Sequence, residues 1–239
     1  MKEEIVKVDC LKHVYPDKTE VSVCGLSFVV HRGEKVVLIG PNGSGKTTLL
    51  HHIIGLLKAT EGEIKVFGLN PCKNFKKVVR RIGVVFQNVD EQLIGPTVWD
   101  DIAFSPMNYG LSKKEVKKRV EKIIKELKIE YLKNKIPRYL SGGEKKKVAI
   151  AGALVIEPEL LVLDEALSEL DPESKRIMIR KFNELNKKNK ITIVLATNEI
   201  DMVKKFADTV YVLEAGEIKY RGSPKEFFKK KIKYEICRH

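Results

Sequence analysis

The sequence contains little of several residue types and patterns that mark particular classes of protein. Of its 239 residues, four are cysteine and one is tryptophan. The cysteines are too scattered for a metal knuckle or a redox Cys-x-x-Cys pair, and too few for a disulfide scaffold. We therefore expect ordinary reduced thiols without a role. They are Cys10, Cys24, Cys72 and Cys237.

Long apolar runs are missing as well. The longest largely apolar runs, such as Val36–Ile39 and Ile191–Ala196, fall far short of the roughly 18 residues that a membrane-spanning helix needs. The start, Met1-Lys-Glu-Glu, lacks the continuous apolar stretch of a secretory signal. We predict a chain that does not cross a bilayer, is not exported and lies in the cytoplasm.

Positive charge is in excess, with 45 basic against 32 acidic residues and a formal net charge of +13. This balance fits nucleic-acid binding, an acidic membrane surface or a well-solvated exterior. Only nine of the basic residues are arginine, the residue best suited to phosphate and base recognition, and lysines mix with glutamates on predicted helix surfaces. The solvated exterior is therefore favoured, and no nucleic-acid partner is expected.

The hydrophobic content of 43% is enough for one large or two small domains, and the chain begins with strand patterns. β-Branched residues predict strands at Ile5–Leu11, Val21–Val30 and Lys35–Ile39, with a turn at His31-Arg-Gly-Glu before the third. Val36–Ile39 is apolar on both faces, which is typical of a buried central strand in a parallel sheet. Further strands are predicted at Leu160–Leu163, Ile191–Ala196, Thr209–Leu213 and Ile218–Tyr220, with a hairpin turn at Ala215-Gly216.

The middle of the chain, from about 89 to 155, is predicted to be mostly helical. Ser112 and Glu115 form a capping box, and apolar residues follow at three- and four-residue spacing as far as Leu127. Two more helices are predicted near Glu173–Lys188 and Ile200–Phe206. Strand–helix alternation on both sides of a helical insert predicts an α/β fold, with one domain over residues 1–239 and an α-helical subdomain at about 89–155.

The strongest motif is Gly40-Pro-Asn-Gly-Ser-Gly-Lys-Thr47, which matches G-x-x-x-x-G-K-[ST] between a buried strand and an apolar helix. Its glycines let backbone N–H groups surround phosphate oxygens, Lys46 can reach the outer phosphates, and Thr47 can ligate Mg²⁺. A chance glycine-rich turn would not need the strand–loop–helix context. The predicted nucleotide ligands are Gly40, Pro41, Asn42, Gly43, Ser44, Gly45, Lys46, Thr47 and Thr48.

A second motif ends the strand Leu160–Leu163 with Asp164-Glu165. Asp164, at the carboxyl end of the strand, suits a Mg²⁺ ion, and Glu165 suits a water that attacks the terminal phosphate. Two acids after an apolar run more often mark a plain strand end. Their combination with the phosphate loop favours a metal-assisted nucleotide site.

A third motif is Leu140-Ser-Gly-Gly-Glu144. Ser141 and Glu144 form a capping box, and Gly142 and Gly143 leave the first N–H groups of a helix open to an anion. Alone, the motif fits a well-capped helix equally well. Between the phosphate loop and the Asp-Glu strand end, it resembles the signature motif of ABC-type ATPases.

The resemblance covers the chain from Val8 to about Phe228. It implies a P-loop NTPase core with a mixed β-sheet, an antiparallel β subdomain and an α-helical subdomain, with ATP and Mg²⁺ as cofactors. Tyr15 matches the aromatic residue that stacks on adenine, and Gln87 the glutamine that senses Mg²⁺ and the attacking water. Asp171, otherwise an N-cap before proline, matches the loop that crosses to the dimer partner.

The family resemblance also implies two ATPase subunits packed head to tail, as a homodimer or as a heterodimer with a second ABC ATPase. Each ATP would lie between the phosphate loop of one subunit and the Ser141–Glu144 helix start of the other. Glu165 would be the base or water-positioning group, and Thr47, Gln87 and Asp164 the Mg²⁺ ligands. Such dimers drive membrane-spanning subunits, which implies a peripheral location on the cytoplasmic face of the membrane.

A narrower resemblance lies in residues 86–112, which begin Phe86-Gln-Asn-Val-Asp-Glu-Gln-Leu-Ile-Gly-Pro. This segment looks like that of the ATPases of energy-coupling factor importers, which take up cobalt, nickel and vitamins. It implies an ATPase that energises import of such a micronutrient. The alternative is a segment of the helical subdomain that many importers share.

Two departures from the family pattern bear on activity. Asn198 stands where the family usually has a histidine that contacts the terminal phosphate, and an amide cannot become cationic. We hypothesise slow hydrolysis or a stabilised closed dimer, although Asn198 also fits an N-cap for the helix after it. Ala166 and Glu169 replace a usual proline and glycine, which leaves communication between the two sites open.

Two other classes of function stay open. A soluble ABC ATPase acting on DNA, RNA or ribosomes would use the positive charge, but such relatives usually carry a coiled-coil insertion or two cassettes. A nucleotide-gated scaffold with weak hydrolysis would fit Asn198. The basic segment Lys229–Lys233 is interpreted as a solvated helix face rather than a lipid contact.

Overall fold

The computed structural model describes residues 2–230, which form ten β-strands and eight α-helices. The predicted basic segment Lys229–Lys233 lies largely outside this range. The strands are β1 (Glu4–Val14), β2 (Glu20–Gly25), β3 (Phe28–His31), β4 (Lys35–Ile39), β5 (Glu61–Val66), β6 (Ile82–Val85), β7 (Leu160–Asp164), β8 (Thr192–Thr197), β9 (Thr209–Glu214) and β10 (Glu217–Gly222). The helices are α1 (Lys46–Ile53), α2 (Phe75–Val79), α3 (Val98–Asn108), α4 (Lys113–Glu126), α5 (Gly142–Leu154), α6 (Pro172–Asn189), α7 (Ile200–Phe206) and α8 (Pro224–Lys229).

One half of the sheet is parallel, in the order β9-β4-β8-β7-β6. Val37 and Ile39 of β4 face a core shared with helices α3 to α6, whereas Val36 and Leu38 face a second core shared with α1. All four side chains are fully buried, which confirms the predicted central strand. Parallel pairing brings the carboxyl ends of β4, β6, β7 and β8 to one edge of the sheet.

The other half of the sheet is antiparallel. β1 pairs with β2, β3 and β5, while β10 pairs antiparallel with β9 and parallel with β2. β10 therefore joins the two halves into one mixed sheet. The predicted α/β class with an antiparallel part is confirmed, and so is the hairpin turn at Ala215-Gly216 between β9 and β10.

The prediction of one strand over Val21–Val30 is wrong, because β2 and β3 are separate strands there. Gly25 ends β2 with a φ of +83°, and a Cβ at this position would lie 3.0 Å from the carbonyl oxygen of Ile218 in β10. This left-handed backbone and close approach require glycine. The chain turns after Gly25, and β3 then pairs with the opposite side of β1.

The expectation of free thiols is wrong for two of the four cysteines. Cys10 and Cys24 form a disulfide, because the pairing of Leu11 in β1 with Val23 in β2 brings the two neighbouring cysteines together, with Cα atoms 4.0 Å apart. Cys72 is free, and its Sγ donates to the carbonyl oxygens of Gly55 and Leu57. Cys237 lies outside the described residues. Strand pairing, rather than spacing in the sequence, determines which cysteines meet.

Between residues 89 and 155 the regular structure is helical, as predicted. The Ser112–Glu115 capping box forms, and the apolar face of α4 as far as Leu127 is buried. α6 and α7 also lie where helices are predicted. That the helical segment is a separate subdomain stays a prediction. In the described part of the chain, no helix is both long and apolar enough to cross a membrane.

Candidate nucleotide site

The predicted phosphate loop connects β4 to α1 at the carboxyl edge of the sheet. Gly43 and Gly45 have φ angles of +77° and +102°, in the left-handed region that favours glycine. Gly45 is the N-cap of α1, and no side chain caps this end of the helix. The first backbone N–H groups of α1 are therefore available to an anion.

Lys46 is folded over the phosphate loop. Its Nζ donates hydrogen bonds to the carbonyl oxygens of Gly40 and Pro41, each at 2.9 Å, and the residue is buried. Burial lowers the pKa of Lys46, while the carboxylates of Glu165 and Asp164 act in the opposite direction. The ammonium group is thus held beside the loop by bonds that phosphate oxygens, as stronger acceptors, can replace.

Asp164 ends β7 as a buried carboxylate. It is 3% exposed, and neither of its oxygens makes a hydrogen bond of standard geometry. Burial raises the pKa of Asp164. An ionised carboxylate in this position is costly unless a cation balances it. With the hydroxyl of Thr47, it fits Mg²⁺, which takes few protein ligands and completes its shell with phosphate and water.

Eight predicted residues line one cleft of about 350 Å³, and the side chains of four of them carry the chemistry: Lys46, Thr47, Gln87 and Glu165. Gln87 follows β6 and Glu165 follows β7, so the parallel pairing of these two strands brings both residues to the same edge. The backbone N–H of Glu165 also donates to the Ala196 carbonyl oxygen at the end of β8, at 3.0 Å. The remaining lining residues are Val21, Asn42, Gly43, Gly45 and Thr48.

Tyr15 lies at the side of the same region. It follows β1 directly, and its hydroxyl is 3.0 Å from Oγ1 of Thr48 near the start of α1. The Tyr15 ring also makes an edge contact with His13. The aromatic side chain is therefore anchored beside the phosphate loop.

The Ser141–Glu144 motif lies apart from the cleft. The predicted capping box forms at the start of α5, with Ser141 and Glu144 bonded in both directions. Among the described residues, none of those that line the cleft belongs to this motif. A Cβ at Gly142 would instead lie 3.0 Å from a carboxylate oxygen of Glu169. Within one chain, the motif therefore does not line the cleft beside the phosphate loop.

Comparison with known proteins identifies the family. The model of the family described as ABC transporter matches residues 23–168. This chain belongs to the ABC transporter family. Its likeness to the energy-coupling factor group, predicted from residues 86–112, is confirmed by the relatives.

Two of these relatives are ATP-binding proteins of energy-coupling factor transporters. That of Methanocaldococcus jannaschii is 46% identical over 228 residues, which are 94% of this chain and 81% of the relative. That of Methanococcus maripaludis is 42% identical over 227 residues, with the same coverage. Both alignments include nearly the whole of this chain.

Solved structures agree with the sequence relatives. CbiO1 of Clostridium perfringens, part of the ABC transporter complex cbiONQ, has a TM-score of 0.83 and 38% identity, covering 96% of this chain and 92% of that one. A dimeric ATP-binding cassette bound to ADP and phosphate has a TM-score of 0.81 and 28% identity, covering 92% and 98%. These structures confirm the P-loop NTPase fold of this ABC ATPase.

Two further predicted residues of the ABC ATPase lie outside the cleft lining. Asp171 is the N-cap of α6 and accepts a hydrogen bond from the backbone N–H of Ser174. Asn198 is exposed just after β8, and the prediction that it caps α7 is wrong. Glu199 holds the N-cap position without a side-chain cap; its backbone N–H donates to Oγ1 of Thr197, and its carboxylate pairs with Lys175.

The sequence-based predictions missed two buried polar residues near the site. His52, in α1, is fully buried, and neither ring nitrogen makes a hydrogen bond of standard geometry. Burial, aided by His13, lowers the pKa of His52 to about 4. Lys146, in α5, is 1% exposed. His52 stands at an apolar position of the α1 pattern, a usable signal, but the Lys145–Lys147 run gives no sign of which lysine is buried.

Proposed function

We propose that this ABC transporter ATPase hydrolyses ATP to energise import of a micronutrient, a cobalt or nickel ion or a vitamin, through membrane-spanning partner subunits. One observation supports it most: Lys46, Thr47, Gln87 and Glu165 line one cleft beside the buried, hydrogen-bond-deficient Asp164. The cargo class rests on the energy-coupling factor relatives.

In this proposal, the phosphate loop and Lys46 bind the β- and γ-phosphates of ATP. Lys46 exchanges its bonds to the Gly40 and Pro41 carbonyl oxygens for bonds to phosphate. Thr47, Gln87 and Asp164 would hold Mg²⁺, which neutralises developing charge on the phosphates. Glu165 orients a water and accepts its proton as the water oxygen bonds to the γ-phosphorus and the bond to ADP breaks.

A second ATPase subunit completes each site. The uncapped start of α1 binds phosphate within one chain, whereas the helix start at Ser141–Glu144 lies away from that chain's cleft. The motif from a second chain would supply N–H groups and the positive end of α5 to the γ-phosphate. Tyr15 would stack on adenine, and Asp171 would lie at the contact between chains.

The membrane partner has a suitable docking place beside Gln87. An apolar groove of about 270 Å³ lies between α2, β6, α3 and α5, and Phe86 and Gln92 form part of its wall. Its exposed rim includes Leu56, Ile94 and Phe104. Large apolar side chains in a groove mark a protein contact, and here the contact would place the ATPase at the cytoplasmic face of the membrane.

ATP turnover by the purified chain tests this function. Lys46→Ala and Glu165→Gln should each lower kcat by about a hundredfold or more, because they remove phosphate binding and water activation. Glu165→Gln should still bind ATP. If the wild-type protein has no ATP turnover, either alone or with its membrane subunits, the proposed ATPase activity is contradicted. Salt-sensitive binding of nucleic acid would favour the alternative of a soluble ABC ATPase that acts on DNA, RNA or ribosomes. Uptake of Co²⁺, Ni²⁺ or vitamins by the reconstituted complex tests the cargo.

A further inference from the structure

Lys146 is a buried cation that contacts the catalytic loop. It lies in the second turn of α5 and is 1% exposed. Its Nζ donates to the backbone carbonyl oxygen of Glu165 at 2.9 Å and to Oγ of Ser168 at 2.7 Å. A buried ammonium is tolerated when its donors are satisfied, so this lysine and this loop determine each other's position.

The Glu165 backbone needs such support. Its φ of +46° lies in the left-handed region, which is unfavourable for a residue with a side chain. Its carbonyl oxygen accepts from three donors: the backbone N–H of Ser168 at 3.1 Å, the Ser168 hydroxyl at 2.6 Å and Lys146. Two of these donors come from the loop itself, and Lys146 is the one that comes from another element.

The same ammonium group lies next to the helix start that the second nucleotide would contact. Lys146 Nζ is 3.8 Å from Oε1 of Glu169, and the other oxygen of that carboxylate would touch a Cβ at Gly142. Lys146 is therefore close to both parts of the chain that serve nucleotides. Glu165 faces the cleft of its own chain, and Gly142 belongs to the motif that faces the other.

We propose that Lys146 is a positioning residue, which holds Glu165 in its catalytic conformation and ties it to the helix start at Ser141–Glu144. A shift of α5 towards a bound phosphate would then move the Glu165 carbonyl oxygen, and Glu165 would respond to nucleotide in the neighbouring site. The inference rests on the proposed function, because it takes the role of Glu165 from there. A lysine that merely fills space would need its methylene groups but not its ammonium.

Three variants of the full chain separate these roles. Lys146→Met keeps the length and removes the donor, whereas Lys146→Gln keeps a donor. Lys181→Met is the matched control, since Lys181 is also buried but its Nζ pairs with Glu126 and Glu184. Lys146→Met should lower kcat by about tenfold with KM for ATP changed less than about threefold. Lys146→Gln should recover most of kcat, and Lys181→Met should keep it within about twofold while lowering Tm.

Amide hydrogen exchange gives a readout that does not need turnover. Lys146→Met should speed exchange in residues 165–170 by about tenfold and leave the C-terminal half of α5 unchanged. Unchanged exchange in this loop, unchanged kcat in Lys146→Met, or no recovery in Lys146→Gln would each overturn the proposal. If the wild-type chain has no turnover at all, the proposed function fails with the catalytic part of this inference, and exchange alone still decides whether Lys146 holds the loop.

Discussion

A buried histidine near the phosphate loop makes the stability of this protein sensitive to acid. His52 is neutral in the folded chain, because burial and His13 lower its pKa to about 4 from an ordinary 6.5. Between pH 4 and pH 6.5, the unfolded chain therefore binds a proton at His52 that the folded chain does not bind. The contribution of His52 to stability is fully present above about pH 6.5 and is lost as pH drops towards 4, by about 3 kcal/mol.

Replacing His52 removes this acid sensitivity. His52→Leu should flatten the loss of unfolding free energy between pH 6.5 and pH 4 relative to wild type, because leucine takes up no proton. Urea unfolding at several pH values measures the difference. Parallel curves for the two proteins would show that His52 is not the group responsible. His31→Leu, at a partly exposed histidine outside the cleft, is the control.

Asn198 gives a second prediction for a single residue, which concerns the rate of ATP hydrolysis. It lies one residue beyond β8, and β8 pairs with β7 so that Ala196 is opposite Asp164. A side chain here is close to the edge that carries Asp164 and Glu165. Asn198→His should raise kcat for ATP by about tenfold, because imidazole can donate to phosphate as a cation. Asn198→Ala should bring no gain, and equal turnover in all three proteins would count against the hypothesis of slow hydrolysis.

At the scale of elements, the disulfide closes the segment that carries Tyr15. Cys10 in β1 and Cys24 in β2 lie on either side of the Tyr15 loop, 14 residues apart. Closing a loop of this length limits the unfolded chain and stabilises the fold by about 3 kcal/mol. Cys24→Ser should therefore lower Tm and weaken ATP binding, while Cys72→Ser changes neither. Thiol alkylation shows whether the disulfide is present, and Tm with and without a reductant measures how much it stabilises the fold. An unchanged Tm after reduction would contradict the predicted stabilisation.

Features within one element could be predicted from the sequence, whereas contacts between distant elements could not. The caps at Ser112, Ser141 and Asp171 depend on residues within one helical turn, and the phosphate loop has a fixed spacing, so local patterns were sufficient. The break at Gly25 depends on Ile218, nearly two hundred residues away in the sequence. The disulfide and the burial of Lys146 depend likewise on pairing and packing between distant segments, which no local pattern contains.

At the scale of the whole molecule, the separation of the two half-sites predicts an ATP-dependent dimer. The cleft holds the groups for phosphate and water, but no residue of the Ser141–Glu144 helix start lines it. In the proposed composite site, ATP bound to one chain would have Lys46 and the phosphate loop at its γ-phosphate, and the N–H donors of the second helix start would come from the other chain. When hydrolysis is blocked, as in Glu165→Gln, ATP should convert the monomer into a stable dimer.

Light scattering with and without ATP and Mg²⁺ measures that dimer. Glu165→Gln should double in mass with ATP, and adding Ser141→Glu should abolish the dimer, because a carboxylate at the helix start repels phosphate and loses the cap. The matched control adds Ser112→Glu instead, which changes the same capping-box position at the start of α4. If both double variants dimerise equally, the helix start of α5 does not contact nucleotide. If neither dimerises, loss of a cap alone is enough to prevent the dimer, and Ser141→Glu gives no support to a contact between α5 and nucleotide.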